Sequence, residues 1–204
     1  MGRVSWSRFV WQTYQEREWY HQRYTEGEEC AKVIGTDFHG ACMTFRAAAE
    51  EFLSTSHFVM TTYLSDMSDE DIVVCPVEGA HHAAWQLGHL MLNERRTVEA
   101  IRAGGGVELP QGFEEAHGKE VPISSREGTL KVSEYLALMK AQRAKTKEVL
   151  KSLSDAELHH PAPEFMRGYA KSVASAFITI ASHEMMHSGQ IAVIRRKLGK
   201  RVVI

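Results

Sequence analysis

The chain has 204 residues, 44% of them hydrophobic and 25% charged, with a net charge of -2. That is enough apolar mass for one sizeable core, and the near-neutral balance excludes the overall basic character of a protein that binds nucleic acid or anionic membranes. No stretch approaches the ~18 apolar residues of a membrane span, and three scattered cysteines (Cys30, Cys42, Cys75) without a C-x-x-C pattern read as reduced thiols of a cytoplasmic protein rather than as a disulfide framework.

The opening MGRVSWSRFVWQTY lacks an apolar h-region, which predicts no secretory leader. Trp6 stands where a myristoylation motif wants Ser or Thr. Residues 1–37 differ from the rest of the chain. They hold Trp6, Trp11 and Trp19 with Phe9, Tyr14, Tyr20 and Tyr24 among Arg, Glu and Gln. This pattern predicts an extension, helical over about 7–33. It either packs on the domain surface, packs on a second subunit in a homodimer, or is an over-long start ahead of Met43.

Residues 38–204 read as one all-α domain. A first helix is expected over about 38–65, with Phe45, Ala49, Phe52, Ser56, Val59 and Tyr63 on its inner stripe. A second is expected over 80–103, stopped by Gly104-Gly105-Gly106. The connection that follows, to about residue 125, is long for a compact domain, and such loops often serve as lids or binding loops. A third helix is expected over 130–153. Its stripe of Val132, Leu136, Met139, Val149, Leu150 and Leu153 is interrupted by polar Arg143 and Thr146. Ser154-Asp155-Ala156-Glu157-Leu158 suggests a short turn, and Pro161 and Pro163 break the chain. A fourth helix is expected over 170–198, with Gly199 just past its end. No segment reads as a convincing strand. The pattern predicts a four-helix bundle whose topology the loop lengths leave open.

The fourth helix contains His183-Glu184-Met185-Met186-His187, which spells H-E-x-x-H. The two histidines share one helix face, ~6 Å apart along the axis, and can converge on one ion. The zinc-protease reading fails on the remaining ligand. Six residues after His187, where one protease pattern needs histidine, stands Val193, and no Asp, Glu or His follows His187. The chain also offers no sheet for substrate strands. A third ligand must then come from upstream. His89, in the apolar run Ala83-Ala84-Trp85-Gln86-Leu87-Gly88-His89-Leu90-Met91-Leu92, is the best candidate, because a buried imidazole needs a partner. Three neutral histidines leave positions open for water or substrate, the pattern of a catalytic centre.

Trp85-Gln86-Leu87-Gly88-His89-Leu90 together with His183-Glu184-x-x-His187-x-Gly189-Gln190-Ile191 resembles the DinB-like (YfiT-like) metal-dependent enzymes, over about 38–199. The resemblance implies a four-helix bundle in which His89, His183 and His187 bind a divalent metal, nickel or zinc. It implies a possible activity as well, since characterised relatives transfer low-molecular-weight thiols such as bacillithiol or mycothiol, or isomerise maleylpyruvate with mycothiol. It does not imply a DNA polymerase. Residues 1–37 depart from the usual family domain. The expected partner is a small-molecule substrate, with no nucleic acid and no membrane.

A metal with open positions activates a bound thiol or water. Thiol transfer and metal-dependent hydrolysis therefore share the same hardware, and the family resemblance favours the first. The rival from another class is a non-catalytic interaction module braced by its metal. Glu184 is the candidate catalytic base. It lies about 100° around the helix from His183, so a carboxylate orienting a histidine or a bundle ion pair is the competing role. Gln86, Asn93 and Gln190 are candidate substrate-binding residues, each weighed against a satisfied buried amide. Gly189 suggests close helix contact. His57 is a possible fourth ligand, set against a hydrogen-bonded core or surface histidine. His82 is placed at the pocket mouth, and His81, His159 and His160 in solvent. Trp85 reads as core, and Tyr63 as a possible donor into the bundle. The run Arg195-Arg196-Lys197-Leu198-Gly199-Lys200-Arg201 either stabilises a helix C-terminus or forms an anion site.

Overall fold

The computed structural model of the protein describes residues 43–202. The extension expected over residues 1–37, the start of the first expected helix, Cys30 and Cys42 lie outside the described residues. Six helices form among the described residues: α1 (Phe45–Leu64), α2 (Ala83–Ile101), α3 (Phe113–His117), α4 (Val132–Ser152), α5 (Asp155–Leu158) and α6 (Val173–Lys197). There is no strand among them. An isolated antiparallel bridge joins Pro161 to Ser172.

The helix ends follow local chemistry. Thr44 opens α1 by accepting the Ala47 N–H at 3.2 Å, and Ser172 opens α6 by accepting that of Ser175 at 3.2 Å. Ser154 and Glu157 form a capping box on α5. The cap of α2 is a histidine. His82 Nδ1 accepts the Trp85 N–H at 3.1 Å, while Nε2 donates to the Ser125 carbonyl at 2.7 Å. His82 is therefore a buried capping residue rather than a group at the pocket mouth. At the far end of α2, Glu99 accepts the N–H groups of Gly104 and Gly106 at 3.0 and 2.8 Å, which fixes the triple-glycine stop.

Two apolar clusters occupy the two halves of the bundle. One contains Met60 and Leu64 of α1, Leu87 and Met91 of α2, Tyr135 of α4 and Ile191 of α6. The other contains Ala49 and Leu53 of α1, Val98 of α2, Leu150 of α4 and Phe177 of α6. Reading each helix from one cluster to the other gives its direction. α1 and α6 run one way, and α2 and α4 run the other. The neighbours around the bundle are α1–α6, α6–α2, α2–α4 and α4–α1, so α1 faces α2, and α4 faces α6, across the diagonals. Because the neighbouring helices α2 and α4 are parallel, the chain between them must return the length of the bundle, roughly 30 Å for a helix of this size. This is why residues 102–131 are so long. They form a packed crossover that contributes buried Phe113 and His117 to the interior, not a free lid.

The inner stripe of α1 is rotated from the expected one. Leu53 and Met60 are fully buried, while Phe45 is 38% exposed. Apolar residues flank both sides of the Ala49-Ser56-Tyr63 line, and the side carrying Leu53 and Met60 is the buried one.

His117 is held in one tautomer. Nδ1–H donates to the Phe113 carbonyl at 2.8 Å, and Nε2 accepts the Tyr135 hydroxyl at 2.7 Å. Its ring lies directly on α2 at Gly88, where an added Cβ would stand 1.9 Å from His117 Cδ2. Gly88→Ala is therefore expected to displace His117 and the crossover, destabilising the fold by roughly 1–3 kcal/mol. Urea unfolding measures this as a lowered midpoint, and an unchanged midpoint would contradict the packing described.

Candidate metal centre

Between the two apolar clusters runs a polar layer, and His89, His183 and His187 meet at its edge. α2 supplies His89, and successive turns of α6 supply the other two. One ring nitrogen from each lies within 4.8 Å of those of the others. His183 Nε2 and His187 Nε2 are 3.2 Å apart. For two imidazoles on one tetrahedral ion with ~2.1 Å bonds, about 3.4 Å is required. The ring of His89 lies 5.2 and 5.6 Å, centre to centre, from those of His183 and His187.

The donor set is chemically suited to a cation. Burial, then the neighbouring His183, lowers the His89 pKa to about 4. The same causes, with His89 added, lower that of His187 to about 4. Burial also lowers His183. All three are thus neutral near pH 7, with lone pairs free. The sign of the linkage is fixed by the depressed values. At His89 and His187 the unfolded chain takes up a proton near pH 6.5 and the folded chain only near pH 4. The metal-free protein is therefore expected to keep a constant urea midpoint above pH 7 and lose stability as pH falls from 6.5 toward 4. Replacing His89 with alanine should flatten that slope, and an unchanged slope would contradict the burial of its neutral form.

The imidazoles are themselves held. Gln86 Nε2 donates to the His81 carbonyl at 3.0 Å, which turns Oε1 toward His187 Nδ1–H at 3.0 Å. His187 Nε2 is thereby left as the lone-pair nitrogen facing the cluster. Asn93 donates from Nδ2 to the His89 carbonyl at 2.7 Å and lies 3.3 Å from both nitrogens of that ring. Trp85 stacks on His89 at 4.8 Å between centroids and 11° between planes. His81 stacks on Trp85 at 3.6 Å and 11°. Trp85 Nε1 donates to the Gly118 carbonyl at 3.1 Å. Trp85 is thus packed as expected, whereas His81 belongs to this stack rather than to open solvent. Gln190 is exposed one turn beyond His187. Gly189 meets nothing within 4 Å of a built Cβ, so it permits no helix contact and faces open space.

Glu184 turns the other way, into the polar layer. It is 2% exposed. Its carboxylate accepts from Ser56 Oγ at 2.6 Å and Arg143 Nη2 at 2.9 Å, and pairs with His57 Nδ1 at 3.3 Å. Burial works to raise the Glu184 carboxyl. The His57 hydrogen bond, the Arg143 charge and Ser56 outweigh it and hold the group below the ordinary carboxylate range. Arg143 also clasps Glu94 with Nε and Nη2 at 3.0 and 2.9 Å and donates to the Leu53 carbonyl. Thr146 donates to Glu94 at 2.7 Å. One guanidinium thus ties together α1, α2, α4 and α6. The sequence flagged Arg143 only as an interruption in an apolar stripe, and its partners, far apart in the chain, gave no local signal.

A cleft of about 370 Å³ opens beside the histidines. His89, Asn93 and His183 line one part of it, Glu94, Arg143 and Glu184 its inner part, and Met139, Met166 and Ile180 its apolar walls. The basic helix end is used internally. Buried Arg195 pairs with Asp66, Lys200 with Asp71 at 3.1 Å, and Lys197 donates to the Cys75 carbonyl at 2.9 Å. His159 and His160 are exposed, as expected. Tyr63 packs into an apolar cluster with the Arg195 guanidinium 5.8 Å from its ring.

Comparison with known proteins agrees with this architecture. A family model described as the DinB superfamily matches residues 53–191. Among solved structures, a conserved protein from Enterococcus faecalis superposes with a TM-score of 0.57 at 17% identity, covering 78% of this chain and 100% of that one. At that identity the likeness shows the fold alone. No curated protein matches the chain. No helix among the described residues is long and apolar enough to cross a membrane.

Proposed function

The chain belongs to the DinB superfamily, and on that premise we propose that it is a divalent-metal-dependent enzyme transferring a low-molecular-weight thiol to an electrophilic small molecule. In this reading His89, His183 and His187 hold nickel or zinc. The observation that carries it is a cluster of three imidazoles beside a cleft, joined by no carboxylate among the described residues. His57 and Glu184, the side chains that would close the sphere of a purely structural site, are bonded to each other instead. A divalent ion in such a site supplies a Lewis acid that keeps a thiol sulfur deprotonated near neutral pH.

The chain's own residues do the rest. Gln86 fixes the tautomer of His187, so it acts as a positioning residue rather than as a substrate contact. Asn93, which lines the cleft, remains available to a substrate. Glu184 serves the same layer. With its oxygens taken by Ser56, His57 and Arg143, it braces α6 one residue after His183 instead of moving protons. Met139, Met166 and Ile180 limit water along the cleft.

Cobalt substitution tests the reading. Addition of 2-mercaptoethanol to the cobalt protein is expected to produce a sulfur-to-cobalt charge-transfer band and alter the visible bands. A spectrum indifferent to thiol, in a protein that hydrolyses esters, would replace this reading with the hydrolase one.

A further inference from the structure

Lys119 lines the same cleft as His89 and His183. It is exposed, and among the described residues it makes no ion pair or hydrogen bond. Its backbone is nevertheless held in place. The carbonyl of Gly118 accepts the Trp85 indole N–H at 3.1 Å. His117, one residue earlier, is pinned between the Phe113 carbonyl and the Tyr135 hydroxyl. The ammonium is close enough for its charge to act on both His89 and His183. The buried part of the cleft has a different character. There the Arg143 guanidinium is taken up by Glu94 and Glu184, and His57 also pairs with Glu184. An anionic group meets two carboxylates at this end and no cation without a partner, and is drawn to the ammonium at the rim.

We propose that Lys119 is a specificity residue that receives a carboxylate carried by the substrate thiol, several bonds from its sulfur. The identity of the metal-binding atom rests on the thiol-transfer reading above. The assignment of Lys119 rests on the cleft and its charges. Lys119 touches none of the histidines as a bonded partner, so its replacement leaves metal content unchanged.

The test uses the full chain loaded with cobalt, as wild type, Lys119→Ala and Lys119→Arg. Each is titrated with 3-mercaptopropionate, 2-mercaptoethanol and cysteamine while the charge-transfer band is followed. Lys119→Ala is expected to weaken 3-mercaptopropionate about fivefold more than 2-mercaptoethanol, the size expected for an exposed charge pair. Lys119→Arg should retain the preference, and added salt should reduce it in wild type. Equal behaviour of the three thiols in wild type and Lys119→Ala would overturn the assignment. If no thiol perturbs the spectrum, the thiol reading fails by itself. The same proteins titrated with imidazole-4-acetate and imidazole then decide on Lys119, since a preference for the acetate lost in Lys119→Ala upholds it and no preference overturns it. A chain that binds no cobalt would overturn both.

Discussion

Replacing Arg143 with methionine is expected to destabilise the protein by about 3–5 kcal/mol, the cost of leaving buried charge without its partner. Arg143 is 4% exposed and Glu184 is 2% exposed. Without the guanidinium, Glu94 and Glu184 face one another inside the bundle, and Ser56, Thr146 and His57 cannot neutralise both. Burial, which the His57 and Ser56 hydrogen bonds and the Arg143 charge now outweigh, would raise the Glu184 carboxyl pKa above its unfolded value. A folded-state acid with a raised pKa binds protons more readily than the unfolded chain, so the variant should regain stability as pH falls. The loss should thus be larger at pH 8 than at pH 5, and adding Glu184→Gln should recover part of it. Urea unfolding at the two pH values measures this. A loss below about 1 kcal/mol, independent of pH, would show that the layer is hydrated and weakly coupled.

Gln86→Leu is expected to leave the fold intact and lower metal affinity about 10- to 100-fold, the usual effect of removing a group that orients a ligand. The side chain is 3% exposed, and its Oε1 is the acceptor for His187 Nδ1–H. Leucine fills similar space but frees the imidazole to rotate or change tautomer, so Nε2 no longer faces the cluster by default. Gln86→Glu keeps an acceptor at the same place and should preserve binding. Competition with a chelator of known affinity measures the effect. Equal affinities for wild type and Gln86→Leu would show that the His187 ring is held by packing alone.

The long helices were legible from periodicity and punctuation. Gly104 and Gly199 lie just past the ends of α2 and α6, and the run from Ser154 to Leu158 opens the short α5. The bundle order was not legible. The direction of a long connection depends on which helices become neighbours, which no local pattern records. Two histidines show a related limit. His82 as a cap and His117 as a buried hydrogen-bond bridge depend on Ser125 and Tyr135, each reached only through the folded crossover. The histidine cluster was legible for the opposite reason. His183 and His187 are four apart on one helix, and His89 sits in an apolar run where a polar group needs a distant partner. Glu184 was ambiguous because helix geometry turns it away from His183 but cannot name Ser56 and Arg143 as what it meets.

The central claim is that His89, His183 and His187 together hold a metal. The most direct measurement is metal content by plasma mass spectrometry on untagged wild type and His89→Ala purified side by side. The account predicts roughly one nickel or zinc per chain in wild type, lost in the variant because two imidazoles on one helix do not suffice. Full metal content without His89, or none in wild type after divalent ions are supplied, would contradict it.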